Sequence, residues 1–600
     1  MGKSDVNVKP IASRDRREFL RWCAGIGLTG AALAEAGLSM AQAPATGPAP
    51  IADDALKGAA HLAALDFTPA ERELMAAGAA DNRAGIERMR KVALANDVPP
   101  ALIFTPIQPG VVNLGRPRAE ITGPFDAPRN GNGAGPSRSA TVASPRGQHS
   151  APIRPTNPAD LAFSTVAELA GLLESRKITS RELTEIYLDR IGRYDKQLEA
   201  VITLTADLAR AQADAADAEL KAGRYRGALH GIPYGAKDLL ATRGIATTWG
   251  AEPFRGQVPR EDAAVIRRLN EAGAVLISKT SLGALAYGDV WFGGTTRNPW
   301  KLDQGSSGSS AGSASGTAAG LFPFAIGTET LGSIVSPCTR CGTTGLRPTF
   351  GRVSRAGAMA LSWSMDKVGP IARNVGDTAL VFAAIHGADG VDNAVHDAPF
   401  DADLGRVVPD WTRLRIGYDR AAFDETRDDK SFDDAVLETM RRLGANLVPV
   451  TLPDLPVSDT LLLLECEAAA AFDELTRTNQ DEQLKRQTAQ AWPNIFRTAR
   501  LIPAVDYIQA NRIRTLLMRE MDRMMANVDV YLSPSFGGSL RTTNLTGHPT
   551  VVLPNGFRAD GTPTSTTFIG RLFGEEAVLA VAKAYQDATE WHRRRPGGFA

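Results

Sequence analysis

The sequence predicts an α/β fold, a β-sheet with helices laid over it. Two observations predict it. From about residue 158 onward, helical stretches with capping signals alternate with short apolar runs such as Ala274-Val-Leu-Ile-Ser278, the pattern of helices packed on a sheet. The 600 residues are 43% hydrophobic and 22% charged, an ordinary globular composition. They exceed one average domain, so a large core has to absorb most of them.

Three stretches precede that core. Residues 1–43 read as a targeting segment: Asp15-Arg16-Arg17-Glu18-Phe19-Leu20-Arg21 has the layout of a twin-arginine export signal. A mildly apolar run from Trp22 to about Leu33 follows, then small residues near Ser39 to Ala43. Cleavage after Ala41 is expected, because cleavage after Ala43 would leave Pro44 first. This route carries folded proteins, so the mature chain is expected in the periplasm or outside the cell, without Cys23. Residues 44–114 read as a helical accessory region, with a capping box at Thr68-Pro-Ala-Glu71 and an extended piece at Ala101-Leu-Ile-Phe104. Residues 115–157 are dense in Pro, Gly, Ser, Arg and Asn. They carry too little apolar surface to offset ordering and read as a linker or long surface loop.

The core, residues 158–595, opens with helices. Thr179-Ser-Arg-Glu182 is a capping-box pattern, with Leu183, Ile186, Tyr187 and Ile191 on one apolar face. An Ala-rich helix spans about Thr205 to Ala222, and another Ala263 to Ala272. Between them His230-Gly-Ile-Pro-Tyr-Gly-Ala-Lys237 runs as a Lys-bearing strand. The region from about Leu461 to Met525 reads as helical again.

Composition excludes several classes. Lys plus Arg and Asp plus Glu both number 67, which gives no electrostatic footprint for nucleic acid or an anionic membrane. Four cysteines, Cys23, Cys338, Cys341 and Cys466, cannot form a disulfide framework. Beyond the N-terminus no run is apolar enough to span a bilayer. No His/Cys/Asp/Glu cluster has metal-ligand spacing and no phosphate-binding loop is present, so neither metal nor cofactor is expected.

The chemistry concentrates between Gly305 and Ser333, a run of serines and glycines that holds no histidine. A serine hydroxyl needs a base to act as a nucleophile. Lys237 serves if burial leaves it neutral. Glycines let backbone N–H groups approach a substrate oxygen, and such donors are each worth about 3 kcal/mol in a transition state.

Blocks in order resemble the amidase signature family. They are His230-Gly-Ile-Pro233 through Lys237-Asp238, Gly293 to Trp300, Gly305 to Ser313, Gly327-Thr-Glu-Thr-Leu-Gly-Ser-Ile334, Gly345 to Ser354, Met365 to Pro370, Asn544 to Pro549 and Gly556 to Pro563. The resemblance implies that family's fold, a central mixed β-sheet covered by helices on both faces. It also implies a Ser–cis-Ser–Lys triad. Ser333 is then the nucleophile, Ser309 the bridging serine, in competition with Ser306, Ser307 and Ser310, and Lys237 the base. Backbone N–H groups of Thr330, Leu331, Gly332 and Ser333 would hold the oxyanion, and Ser310 would hydrogen-bond in the site. The expected reaction is hydrolysis of a linear amide C–N bond through an acyl-enzyme. The expected partner is a small-molecule amide, with a homodimer left open. The alternatives are an esterase or carbamate hydrolase, a glutamyl-tRNA amidotransferase A-type subunit, or a binding protein with a relic site.

Some positions depart from the family pattern. Leu331 stands where Gly is usual, Glu329 where Asp is usual, and Val335-Ser336 replaces an Arg-containing continuation, removing an ion pair there. Trp291, Trp363 and Trp492 are candidate substrate-binding residues, against ordinary core packing for each. Met365-Asp366 admits both a functional and a structural role. Cys338-Thr-Arg-Cys341 has redox spacing, against two buried small hydrophobes. Asn544-Leu-Thr546 reads as a core loop.

Overall fold

The computed structural model describes residues 48–94, 98, 100–102, 153–402 and 409–599. The expected export signal, residues 1–43, and nearly all of the Pro/Gly/Ser-rich stretch lie outside the described residues.

Two helices lead, α1 (Asp53–Leu62) and α2 (Pro69–Met89). The capping box that starts α2 is complete: Thr68 N–H donates to Glu71 Oε2 at 2.7 Å and Glu71 N–H to Thr68 Oγ1 at 3.3 Å. The second box is half made. At α3 (Ser180–Leu198), Thr179 Oγ1 accepts the Glu182 N–H at 3.0 Å, but the Glu182 carboxylate turns to Arg154. Leu183, Tyr187 and Ile191 are buried as the apolar face requires. The short helix α4 (Ala311–Ala318) lies within the Gly305–Ser333 stretch and α5 (Val335–Cys341) follows it. The later helical region resolves into α6 (Leu462–Ala471), α7 (Trp492–Ala499) and α8 (Ala504–Met525), with short turns between. The stretch read as a core loop around Asn544 is instead the end of a buried helix, α9 (Gly538–Thr546).

The strands are β1 (Val201–Leu204), β2 (Pro233–Lys237), β3 (Val275–Thr280), β4 (Phe324–Glu329), β5 (Thr344–Arg347), β6 (Lys367–Ala372), β7 (Ile416–Asp419), β8 (Leu447–Val450), β9 (Val530–Pro534), β10 (Thr550–Phe557) and β11 (Pro563–Gly570). They form one 11-stranded sheet in the order β1-β3-β2-β4-β6-β5-β10-β11-β9-β7-β8. The sheet is mixed: β2 runs parallel to β3 and β4, while β4–β6, β6–β5 and β5–β10 are antiparallel. Every residue of β2, β3, β6, β9 and β11 is buried. Side chains alternate across a strand, so unbroken burial means both faces of the sheet are covered.

The accessory helices dock on the far side of the α6–α8 region. Arg88 makes a forked pair with Asp459, 2.6 Å at its shortest, and Arg90 pairs with Asp506 at the start of α8 at 2.8 Å. Arg497 on α7 meets Glu71 at 2.7 Å. Val98 and Ala101 also contact α8: Ala101 N–H donates to Asn511 O at 3.2 Å and Arg512 Nε to Val98 O at 2.9 Å.

Candidate active site

Lys237 is the last residue of β2. Because β2, β3 and β4 are parallel, their carboxyl ends lie along one edge of the sheet, where open α/β sheets bind ligands. The Lys237 side chain is fully buried. Its Nζ lies 2.8 Å from Ser309 Oγ, 3.1 Å from Ser310 Oγ and 2.8 Å from Thr328 Oγ1. It forms no ion pair among the described residues. Burial pushes the amine well below the usual lysine range, opposed only by the more distant charges of Asp366 and Glu329. A neutral amine has a lone pair, so this nitrogen can accept a hydroxyl proton.

The serine loop that precedes α4 delivers the hydroxyl. The Gly308–Ser309 peptide is cis. A Cβ on Gly308 would sit 1.9 Å from Gly288 O, so only glycine lets the loop pass that backbone. The competing serines are occupied elsewhere: Ser306 Oγ donates to Ser307 O and Ser307 Oγ bonds Ser336 Oγ. Ser310 Oγ holds both the N–H and the carbonyl of Thr328 at 3.1 Å, and its own N–H donates to Ser333 O at 3.1 Å. Ser309 Oγ alone is left with Lys237 as its one partner among the described residues.

Ser333 sits in the turn between β4 and α5. It is half-buried, whereas Ser306, Ser307, Ser309 and Ser310 are fully buried. The N–H groups of Thr330, Leu331, Gly332 and Ser333 donate to no other protein group among the described residues. The departure at Leu331 costs nothing in backbone geometry, because the left-handed residue of the turn is Gly332, at φ +87°. Leu331 instead buries its side chain in the main hydrophobic core. Gly332→Ala should meet no clash, since the nearest atom to its Cβ would be Leu540 Cδ2 at 3.5 Å. The expected cost is conformational, about 1–2 kcal/mol, with lower kcat from a displaced turn; thermal unfolding and steady-state rates on one protein check both.

Glu329 clamps the turn. Its Oε2 accepts the N–H groups of Ile334 and Val335 at 2.8 and 2.9 Å, and its Oε1 accepts Arg347 Nη1 at 2.7 Å and Asn544 Nδ2 at 2.8 Å. Burial would raise this carboxyl, but Arg347 and the N–H donors overcome that and hold it at about 2. The Glu329 carboxylate thus has its counter-ion on β5, while Val335 and Ser336, which follow the turn, carry no charge. Sequence reasoning missed this clamp, since Arg347 and Asn544 lie 18 and 215 residues from Glu329. It also missed Thr328 as a lysine partner.

A cavity of about 250 Å³ opens on this turn, lined by Thr328, Thr330, Met359, Trp363, Asp366 and Lys367 among others. Asp366 takes a definite place here. Its Oδ1 accepts Thr330 Oγ1–H at 2.5 Å, and its Oδ2 accepts the N–H groups of Leu361 and Ser362 at 2.8 and 3.0 Å. Of the three candidate tryptophans only Trp363 lines this cavity. Trp492 is buried, stacks on Phe496 and donates to Leu285 O; Trp291 is buried edge-on against Phe292. Both occupy packing positions. Cys338 and Cys341 are free and buried, and burial raises both thiols, Cys338 to about 12, which keeps them inert.

The model of the family described as Amidase matches residues 182–542. The chain belongs to the amidase signature family. This amidase is 36% identical over 492 residues to the A subunit of the glutamyl-tRNA(Gln) amidotransferase of Halorhodospira halophila, an overlap of 72% of this chain and 99% of that one. Among solved structures it is similar to the native peptide amidase of Stenotrophomonas maltophilia, with 32% identity, a TM-score of 0.63, and coverage of 72% and 98% of the two chains. A bacterial aryl acylamidase shares the fold at 24% identity and TM-score 0.63, covering 72% of this chain and 97% of that one. The amidase is accordingly a C–N hydrolase of this family, and its accessory helices lie outside the matched residues.

Proposed function

We propose that this amidase hydrolyses a small-molecule amide through an acyl-enzyme on Ser333, with Ser309 and Lys237 as the proton relay. The observation that supports it most is a buried lysine amine, free of any ion pair among the described residues, 2.8 Å from the Ser309 hydroxyl. Ser333 Oγ attacks the substrate carbonyl carbon while its proton passes to Ser309 Oγ, whose own proton passes to Lys237 Nζ. The oxyanion meets the N–H groups of the Thr330–Ser333 turn. The C–N bond breaks as the relay returns a proton through Ser309 to the leaving nitrogen. Water then attacks the acyl-enzyme by the same route and releases the carboxylate.

Lysine basicity sets the pH dependence. Below its depressed pKa, Lys237 is an ammonium and accepts no proton, so kcat/KM should fall as pH drops through that value and level off above it. A pH–rate profile with its acid limb near the ordinary lysine value of 10.5 would overturn the neutral-amine assignment.

The second reading is an A-type subunit of a glutamyl-tRNA amidotransferase, favoured by the identity to such chains over nearly their whole length. The Arg16-Arg17 segment favours an exported hydrolase over that cytoplasmic reading. The deciding experiment is hydrolysis of a panel of aryl, alkyl and peptide amides, esters and carbamates by the purified mature chain without a partner. No turnover on any of them, with no labelling of Ser333 by a fluorophosphonate, would sink the hydrolase assignment.

A further inference from the structure

A second, much larger cavity of about 1280 Å³ lies beyond the site, lined by Trp363, Glu467, Tyr507, Arg514 and Met518 and, from outside the family-matched residues, by Leu545 on one side of the match and Ala101 and Leu102 on the other. Trp363 lines both cavities, so the loop that carries it is the partition between them. That loop is also wired to the catalytic turn. Thr330 bonds Asp366, Asp366 holds the N–H groups of Leu361 and Ser362, and Ser362 and Ser364 both donate to Glu467. Tyr507 adds its hydroxyl to Glu467 at 3.1 Å, and Arg514 holds Ser364 and Leu545 O.

We infer that Pro100, Ala101 and Leu102 of the accessory region are a specificity element that completes this outer chamber for amides carrying a bulky, uncharged apolar group. Three observations carry it, given the amide-hydrolase reading on which it rests. First, the inner cavity of about 250 Å³ is smaller than an ordinary ligand pocket, whereas the chamber exceeds one. Second, the charged side chains of the chamber wall are mostly paired within the protein: Arg500 Nη2 on Asp473 at 2.6 Å, although its Nε has no partner among the described residues, Arg514 on Ser364 and Leu545, Glu467 on hydroxyls. What they leave to a ligand is mainly alanine, isoleucine, leucine and methionine surface. Third, Ala101 and Val98 are each held on α8 by a hydrogen bond, from Ala101 N–H to Asn511 O and from Arg512 Nε to Val98 O. Leu102 is 43% exposed, a large apolar side chain held at the chamber wall.

The test uses the full mature chain and two substitutions, Leu102→Asp and Ala101→Trp. The readout is the ratio of kcat/KM for a long-chain or aryl amide to that for a two-carbon amide. A second readout is the affinity of Ser333→Ala protein for the same bulky amide, with and without each substitution. Each change is expected to lower both readouts about tenfold. A rate ratio and an affinity that both stay within threefold of the parent overturn the inference. If the parent turns over no amide yet its Ser333→Ala form binds the bulky one in a Leu102-dependent way, the hydrolase reading falls and the chamber assignment stands. If the bulky amide does not bind the Ser333→Ala protein, the chamber assignment falls.

Discussion

Ser333→Ala and Lys237→Ala should each lower kcat for any amide by a factor of about 10³ or more, and the double variant should fall no further than the worse single one. Residues that act as one relay are non-additive in this way, because either loss stops the same proton path. Lys237→Ala carries a separate structural cost. The buried amine satisfies Ser309 Oγ and Thr328 Oγ1, and leaving such hydroxyls without a partner costs about 1–3 kcal/mol. Lys237→Met fills more of the space and should recover part of that stability without activity. Measuring kcat and thermal unfolding on the same preparations separates the two effects. Turnover by Lys237→Met within tenfold of the parent would remove lysine from the relay.

Glu329→Ala should be the most destabilising single change near the site, by about 3–5 kcal/mol, because it strands Arg347 as a buried unpaired charge. It also frees the Ile334 and Val335 N–H groups that fix the Ser333 turn, so activity should fall beyond what the unfolded fraction explains. Replacing Arg347 and Glu329 together with apolar residues should restore much of the stability and none of the activity. The pH dependence follows in sign. The carboxyl's folded value of about 2 lies below its ordinary 4.5, so its contribution is full above about 4.5 and is lost as pH falls toward 2. Denaturant unfolding of parent and Glu329→Gln across that range checks it: the difference between them should shrink with acid.

The signature is legible because its chemistry is local. Lys237, the Gly305–Ser313 loop and the Gly327–Ser333 turn each announce themselves within a dozen residues, and the sheet brings them to one edge. Leu331 reads as a departure with a backbone cost, and the structure moves the left-handed position one residue on, to Gly332. The Glu329 clamp is hidden because its partners come from β5 and α9, and no local pattern ties a carboxylate to an asparagine 215 residues away. Asn544 reads as part of a core loop, and the structure keeps it buried but places it in the last turn of α9, where its amide bonds Glu329. The tryptophans at 291 and 492 show that aromatic content alone does not separate a binding wall from a packed core.

The dependence of the Ser333 turn on Asn544, and of Arg347 on Thr543, His548 and Thr550, has a consequence for biosynthesis. The residues that would do the chemistry are all made by position 333, yet the contacts that hold them in register arrive more than 200 residues later. A nascent chain, or one cut short before α9, therefore carries every reactive group and lacks the assembled hydrolase. The assembled site thus needs synthesis to reach at least Thr550, the first residue of β10.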